Sequence, residues 1–252
     1  MGEPLRLTLV ALRFLTRLPL PPVRWGPGDL KRSMPAFPLA GLLVAGIGIG
    51  VRAALEPLLG PLAASAAAVA GMIMATGALH EDGLADTADG IWGGWTPERR
   101  LEIMRDSRIG TYGVLALLTV VGLRVALLAP LDLAGFARAL VCGHVVGRAA
   151  MLALAARLPA AAPGRGAEVV GRPGRAGAAV AAALVTGALV LATGLWAPLI
   201  IVAVAAVVTA LCGVIFARRL RGVTGDTLGA AEQLAELAAI ATVAALIRSG
   251  GL

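Results

Sequence analysis

The chain has 252 residues, of which 58% are hydrophobic and only 15% charged, whereas a soluble domain of this length carries about 25% charged residues. Its formal charge of +7 does not point to nucleic acid, because the cations lie in short segments between apolar stretches, as a membrane topology requires. Aromatics make up 4%, so the apolar mass is Ala, Leu, Val and Gly, a mixture suited to helices packed closely through small residues in a bilayer. The expected fold is all-α: a polytopic integral membrane helical bundle with an N-terminal interfacial helix, forming a single membrane-embedded unit over residues 1–252.

Residues 1–20 offer neither an uninterrupted signal-peptide core nor a clear cleavage site. Arg6, Arg13 and Arg17 fall within a narrow arc of a helical wheel with leucines largely opposite, the pattern of a helix lying on a membrane surface. The run Leu18-Pro19-Leu20-Pro21-Pro22 stops it. A bilayer crossing takes about 20 mostly apolar residues, and seven segments qualify, near 36–58, 61–79, 112–129, 136–156, 176–195, 197–217 and 231–248. In the first, Gly41, Gly46, Gly48 and Gly50 would let a neighbouring backbone approach closely.

The cations test this topology. With the N-terminus inside, the inner segments hold Arg6, Arg13, Arg17, Arg24, Lys31 and Arg32, then Arg99, Arg100, Arg105 and Arg108. Next come Arg157, Arg165, Arg172 and Arg175, and last Arg218, Arg219 and Arg221. The outer turns at 57–61, 129–134 and 194–198 hold none, as the positive-inside rule demands. Cys142 and Cys212 sit within apolar stretches as small hydrophobes, without metal-site spacing.

Seven of the fifteen acids lie between Glu81 and Asp106, and three more between Asp226 and Glu236, all at inner ends of spans. In His80-Glu81-Asp82-Gly83-Leu84-Ala85-Asp86-Thr87-Ala88-Asp89-Gly90, Asp82, Asp86 and Asp89 stand at i, i+4 and i+7, stacking three carboxylates on one helical face. Their repulsion calls for a cation, and Mg²⁺ takes hard oxygen ligands and shares them with substrate phosphates. Gly83 and Gly90 would leave room for a bulky substrate group. Gly93-Gly94 breaks the helix, and Thr96-Pro97 reads as an N-cap with Pro at the first helical position, opening a short helix through Asp106. Arg105 and Arg108 flank Asp106 and Ser107, placed to neutralise phosphate as well as to set topology.

The second cluster opens with Gly222-Val223-Thr224-Gly225-Asp226-Thr227-Leu228-Gly229-Ala230, a tight polar turn that can bring backbone N–H groups and a carboxylate to a phosphate–metal centre. Deeper, His144 and Arg148 share a face of the fourth span, and an Arg within a span must face protein or a watery cavity.

These segments resemble the cobalamin synthase family. Phe14-Leu15-Thr16-Arg17-Leu18-Pro19, Phe37-Pro38-Leu39-Ala40-Gly41, the His80–Gly90 motif, Leu101-Glu102-Ile103-Met104-Arg105-Asp106-Ser107-Arg108-Ile109-Gly110-Thr111 and the Gly222–Ala230 turn carry the resemblance from end to end. Three positions depart from the family's pattern. Glu81 stands where a hydrophobic residue is usual, Gln233 where Glu is expected, and the loop Pro163–Glu168 lacks the usual acidic, Gly-rich character. The resemblance implies a transferase that condenses adenosylcobinamide-GDP with α-ribazole, or its 5′-phosphate, and releases GMP. On that reading Asp82, Asp86, Asp89 and Asp226 hold Mg²⁺ against the pyrophosphate, and Asp89 or Asp106 takes the hydroxyl proton. Arg105, Arg108 and Arg148 steady phosphate charge, with His80, Thr224 and Glu236 on the substrate. The implied partners are these two substrates and the lipid bilayer, with a homo-oligomer left open.

Two other readings compete. CDP-alcohol phosphotransferases share Asp-x-x-Asp-Gly, but here Gly90 is followed by Ile91-Trp92-Gly93-Gly94 and the second acidic pair of that motif is missing. A secondary transporter would show paired inverted repeats and acids near the midplane, whereas these acids crowd one face.

Overall fold

A computed structural model describes residues 2–171 and 174–252. Of the loop cations expected above, Arg172 and the side chain of Arg165 lie outside the described residues. The described elements are helical: α1 (Glu3–Leu15), α2 (Asp29–Ser33), a 3₁₀ turn (Met34–Ala36), α3 (Phe37–Thr76), α4 (Leu79–Gly93), α5 (Pro97–Ile103), α6 (Thr111–Leu128), α7 (Leu133–Ala155), α8 (Arg165–Glu168), α9 (Arg175–Thr193), α10 (Ala197–Leu220) and α11 (Gly225–Arg248).

The N-terminal helix exists, and its second half packs on protein along one face. Ala11 and Leu15 are buried against Leu30, Met34 and Phe37, and the Phe14 ring stacks on Phe37 with centroids 6.1 Å apart. Its cations are engaged within the chain: Arg6 donates to both oxygens of Asp29 at 2.6 and 2.9 Å, and Arg13 donates to the Leu20 carbonyl at 2.6 Å. The arc thus also makes contacts within the protein, at Arg6 and Arg13.

The 40 residues of α3 would reach about 60 Å as one straight helix, twice a hydrocarbon core. Instead the helix breaks at Gly60, whose φ of 74° and ψ of 170° suit only glycine, between Pro57 and Pro61. The second arm folds back along the first. Arg52 on one arm donates to the Ser65 hydroxyl on the other, and a Cβ on Gly48 would stand 2.6 Å from the Met72 sulfur. Among the described residues six helices are long and apolar enough to cross a membrane, the first including this hairpin, so seven passes result, as the sequence implies.

Inside a bilayer, close van der Waals packing holds helices together. α7 and α11 form the centre, where a Cβ on Gly147 would meet Glu232 Oε1 at 2.8 Å and a Cβ on Gly143 would meet Ile240 at 2.8 Å. In α3, Gly41 and Gly48 make such contacts, but Gly46 and Gly50 face open space, so only half of the expected glycine stripe packs. α6, α9 and α10 lie outside and expose Leu118, Leu191 and Leu199, side chains that lipid would cover. Cys142 and Cys212 are free and buried.

The turns sort themselves to two ends. Arg52 bridges the Gly60 turn to the Leu131 carbonyl at 3.1 Å, and the end of α11 reaches the other turns, with Ile247 3.0 Å from a Cβ built on Gly135 and Trp196 3.1 Å from one built on Gly251, so the cation-free turns share one end. At the other, Arg17 N donates to Ala75 O at 2.7 Å, Ala161 N to Val223 O at 2.8 Å, and Arg100 to the Arg219 carbonyl at 3.1 Å. The cationic segments and both acid clusters gather there.

Candidate active site

At the cationic end, Gly77 and Ala78 both adopt left-handed backbone angles, ending the α3 hairpin and redirecting the chain into α4. The acidic stripe is helical, as its spacing predicts, but its members have different surroundings. Asp82 is exposed, Asp86 half-buried and Asp89 buried. α11 starts at Gly225, earlier than the predicted 231, because Thr224 and Thr227 form a reciprocal cap: Thr224 Oγ1 accepts from Thr227 N at 3.2 Å and Thr227 Oγ1 from Thr224 N at 2.8 Å. The polar turn is thus a helix start, with Asp226 in its first turn.

Gly83 and Gly90 leave no space for substrate. A Cβ on Gly83 would lie 2.8 Å from the Asp226 carbonyl oxygen, and one on Gly90 would lie 2.4 Å from Met104 and 2.9 Å from the Arg100 carbonyl oxygen. Gly83 instead lets the Asp226 backbone lie directly on α4, which brings the two acidic motifs together. The electrostatics agree. Asp86 is pushed up to about 7, first by burial and then by the charges of Asp82, Asp226 and Asp89.

A cavity of about 480 Å³ opens beside this junction, and five of the predicted site residues line it: His80, Asp82, Arg105, Thr224 and Asp226. Arg13, Phe14, Arg17, Trp25 and Phe37 line it as well. Sequence reasoning did not count these among the site residues, although Phe14, Arg17 and Phe37 lie in segments it singled out.

Other predicted residues lie elsewhere. Asp89 Oδ2 accepts from Gly110 N at 2.7 Å and Oδ1 from Gly113 N at 2.9 Å, so its carboxylate caps the otherwise unsatisfied start of α6. Asp89, Asp106 and Arg108 line a separate cavity of about 380 Å³. There Arg108 grips Asp106 at 2.6 Å, and its side-chain and backbone hydrogen bonds hold that carboxyl down to about 2. A carboxylate held so far below neutrality is a weak base, which argues against Asp106 as the proton acceptor, while the Asp89 carboxylate is occupied by its two backbone donors.

Arg148 and Glu236 belong to a buried network across α4, α6, α7 and α11. Arg148 contacts Glu232 and lies 2.9 Å from Glu236 Oε2. That same oxygen is 2.7 Å from His144 Nδ1, and Arg124 is 3.2 Å from Glu236 Oε1. His80 Nδ1 lies 3.3 Å from Glu232 Oε2, which links the network to the cavity wall. Gln233 Nε2 also donates to Glu81 Oε1 at 3.1 Å, and Arg124 donates to Gln233 Oε1 at 2.5 Å.

Two groups of acids are therefore candidates for a cation. Among the described residues, His144, Glu232 and Glu236 alone bring three ligand atoms within 4.8 Å of one another, but Arg148 already neutralises that trio. Asp82, Asp86 and Asp226 are less tightly gathered, yet they are hard oxygen donors without an arginine partner among the described residues. The arginine ion pairs fall to Asp29, Glu56, Asp106 and the glutamates. The uncompensated charge felt by Asp86 is what a divalent cation would relieve, so these three fit Mg²⁺.

A sequence model described as cobalamin-5-phosphate synthase matches residues 7–244. An adenosylcobinamide-GDP ribazoletransferase of Rhizobium etli is 42% identical, covering 94% of this chain and 95% of its own length. Proteins of the same name from Brucella anthropi and Brucella canis are also 42% identical over more than nine-tenths of both chains. No solved structure matches the chain. With a seven-pass bundle, two acidic motifs joined at one end, and sequence similarity along nearly its whole length, the chain belongs to the cobalamin-5-phosphate synthase family.

Proposed function

We propose that this chain is a Mg²⁺-dependent adenosylcobinamide-GDP ribazoletransferase, joining adenosylcobinamide-GDP to α-ribazole or its 5′-phosphate and releasing GMP. The observation that carries this is the 480 Å³ cavity where Asp82 and Asp226, from two acidic motifs far apart in sequence, face Arg105. A pyrophosphate needs both a cation held on acids and direct positive charge, and this cavity offers the residues for each.

In the reaction a ribose hydroxyl oxygen forms a bond to the corrinoid-side phosphorus of the pyrophosphate, the bridging P–O bond breaks, GMP carries away the leaving electron pair, and the hydroxyl proton passes to solvent or to the departing phosphate. Such a transfer rests on positioning and charge neutralisation more than on covalent chemistry. Asp82, Asp86 and Asp226 would hold Mg²⁺, which would supply neutralisation of the growing charge on the phosphoryl oxygens. Arg105 binds phosphate directly. His80, backed by Glu232 at 3.3 Å, and Thr224 orient the substrate at the wall. Asp89 keeps the stripe in place by fastening α4 to α6. Arg148 and Glu236 act from behind the wall, setting the α7–α11 packing on which it stands, and Arg108 remains with Asp106.

The cationic end faces the cytoplasm in this proposal, by the positive-inside rule, with the N-terminus and the cavity on that side of the cell membrane. Supplying purified protein with adenosylcobinamide-GDP, with and without α-ribazole, tests the activity. GMP release that requires α-ribazole supports it; transfer from a CDP-alcohol, or no reaction, sinks it.

A further inference from the structure

We propose that Arg17 binds the pyrophosphate of the donor substrate, so that the segment after α1 forms one wall of the substrate site. The proposal rests on the transferase reading above. Arg17 lines the same cavity as Asp82, Asp226 and Arg105. Its backbone is pinned there, since Arg17 N donates to the Ala75 carbonyl at 2.7 Å. The side chain lies across the α3–α4 joint, over a residue that has no side chain of its own. A Cβ on Gly77 would stand 2.6 Å from Arg17 Cγ and 2.7 Å from its Nε.

The other cations of α1 have internal partners: Arg6 holds Asp29, and Arg13 donates to the Leu20 and Pro21 carbonyls. Arg17 has no hydrogen-bond or ion-pair partner among the described residues, and neither does the side chain of Arg105. Two guanidinium groups without partners among the described residues thus share a cavity with Asp82 and with Asp226, whose carboxylate accepts only from Thr224 Oγ1 at 3.3 Å there. One cavity wall thus holds both the cations that bind phosphoryl oxygens and the acids that hold a metal, the two kinds of group a metal-bound pyrophosphate needs. The guanidinium fork matches two phosphoryl oxygens at once, which a lysine ammonium cannot do. A topology signal alone would need neither the anchored backbone nor the bare glycine beneath the side chain.

The test uses the full chain in nanodiscs, comparing Arg17→Gln and Arg17→Lys with wild type. Four quantities are read: KM for adenosylcobinamide-GDP, KM for α-ribazole and for its 5′-phosphate, binding of inorganic pyrophosphate with Mg²⁺, and the melting temperature. Loss of a charge-assisted hydrogen bond predicts that Arg17→Gln raises KM for adenosylcobinamide-GDP about 10- to 100-fold. Pyrophosphate binding should weaken in parallel, KM for both forms of ribazole and the melting temperature should stay unchanged, and Arg17→Lys should recover part of the loss. Unchanged donor KM and pyrophosphate binding would overturn the proposal. An effect confined to α-ribazole 5′-phosphate would overturn it too, by assigning Arg17 to the other phosphate, as would an equal loss for both substrates with a lowered melting temperature. Should wild type release no GMP, the transferase reading fails by itself, and the pyrophosphate arm still decides the role of Arg17.

Discussion

Glu81 and Gln233 are 152 positions apart in sequence and in contact in space, which makes their exchange a sharp test of the buried network. Gln233 Nε2 donates to Glu81 Oε1 and to Glu232 Oε2, each at 3.1 Å. Gln233→Glu would turn that donor into a carboxylate oxygen facing two others. Two unit charges 3.1 Å apart repel by about 5 kcal/mol at an effective dielectric of ~20. Proton uptake relieves part of this, leaving a cost on the order of 3–5 kcal/mol. Glu81→Leu alone strands one amide hydrogen and removes a carboxylate 3.6 Å from Arg124, costing about 1–3 kcal/mol. The double variant removes one repulsion and returns a carboxylate to Arg124, so it should be more stable than the sum of the singles by about 2 kcal/mol or more. Equilibrium unfolding in detergent micelles, run as a double-mutant cycle, measures this. Additivity within about 0.5 kcal/mol would refute the contact as drawn.

Asp89→Ala should lower stability by about 1–2 kcal/mol through uncapping α6, and Asp89→Asn should lose much less kcat than Asp82→Asn; equal losses in kcat at equal stability would contradict the capping role. Arg52→Met strands Glu56, Ser65 and the Leu131 carbonyl at the end opposite the acid clusters, costing about 3 kcal/mol, and thermal melts should show that loss while kcat of the folded fraction is retained. The Asp86 carboxyl, raised to about 7, keeps its proton in the fold longer than in the unfolded chain, so without metal the fold is penalised as pH climbs from the ordinary carboxylate range towards 7. Asp86→Asn should therefore raise the melting temperature of metal-free protein at pH 8 and much less at pH 4.5, with Mg²⁺ shrinking the gain; a gain independent of pH would contradict this.

Much of the fold was legible because bilayer thickness and cation placement act on contiguous sequence. The break at Gly60 announces itself in Pro57-Leu58-Leu59-Gly60-Pro61. The acidic stripe was legible for the same reason, since helical spacing alone stacks Asp82, Asp86 and Asp89. Spacing does not say which neighbour each carboxylate meets. Asp89 turns to Gly110 and Gly113 because the start of α6 packs against α4, a contact invisible in a local pattern. Gly83 and Gly90 looked like room for substrate, but the space they leave is filled by Asp226 and by α5. Arg17 read as one of three surface cations, and only the fold separates it from Arg6 and Arg13 by giving those two partners. The α11 start was placed late because Gly225 and Gly229 look like loop residues. The Thr224–Thr227 cap and the approach of His80 to Gly229, 3.3 Å from a built Cβ, explain both glycines.

GMP formation by the purified chain in nanodiscs, from adenosylcobinamide-GDP and α-ribazole across a Mg²⁺ titration, tests the central claim most directly when wild type and Asp82→Asn are compared. The account predicts GMP release that needs both α-ribazole and Mg²⁺, with kcat lowered by about a hundredfold or more in Asp82→Asn and not restored at saturating metal. Undiminished turnover by Asp82→Asn, or release that persists when the metal is chelated, would contradict it.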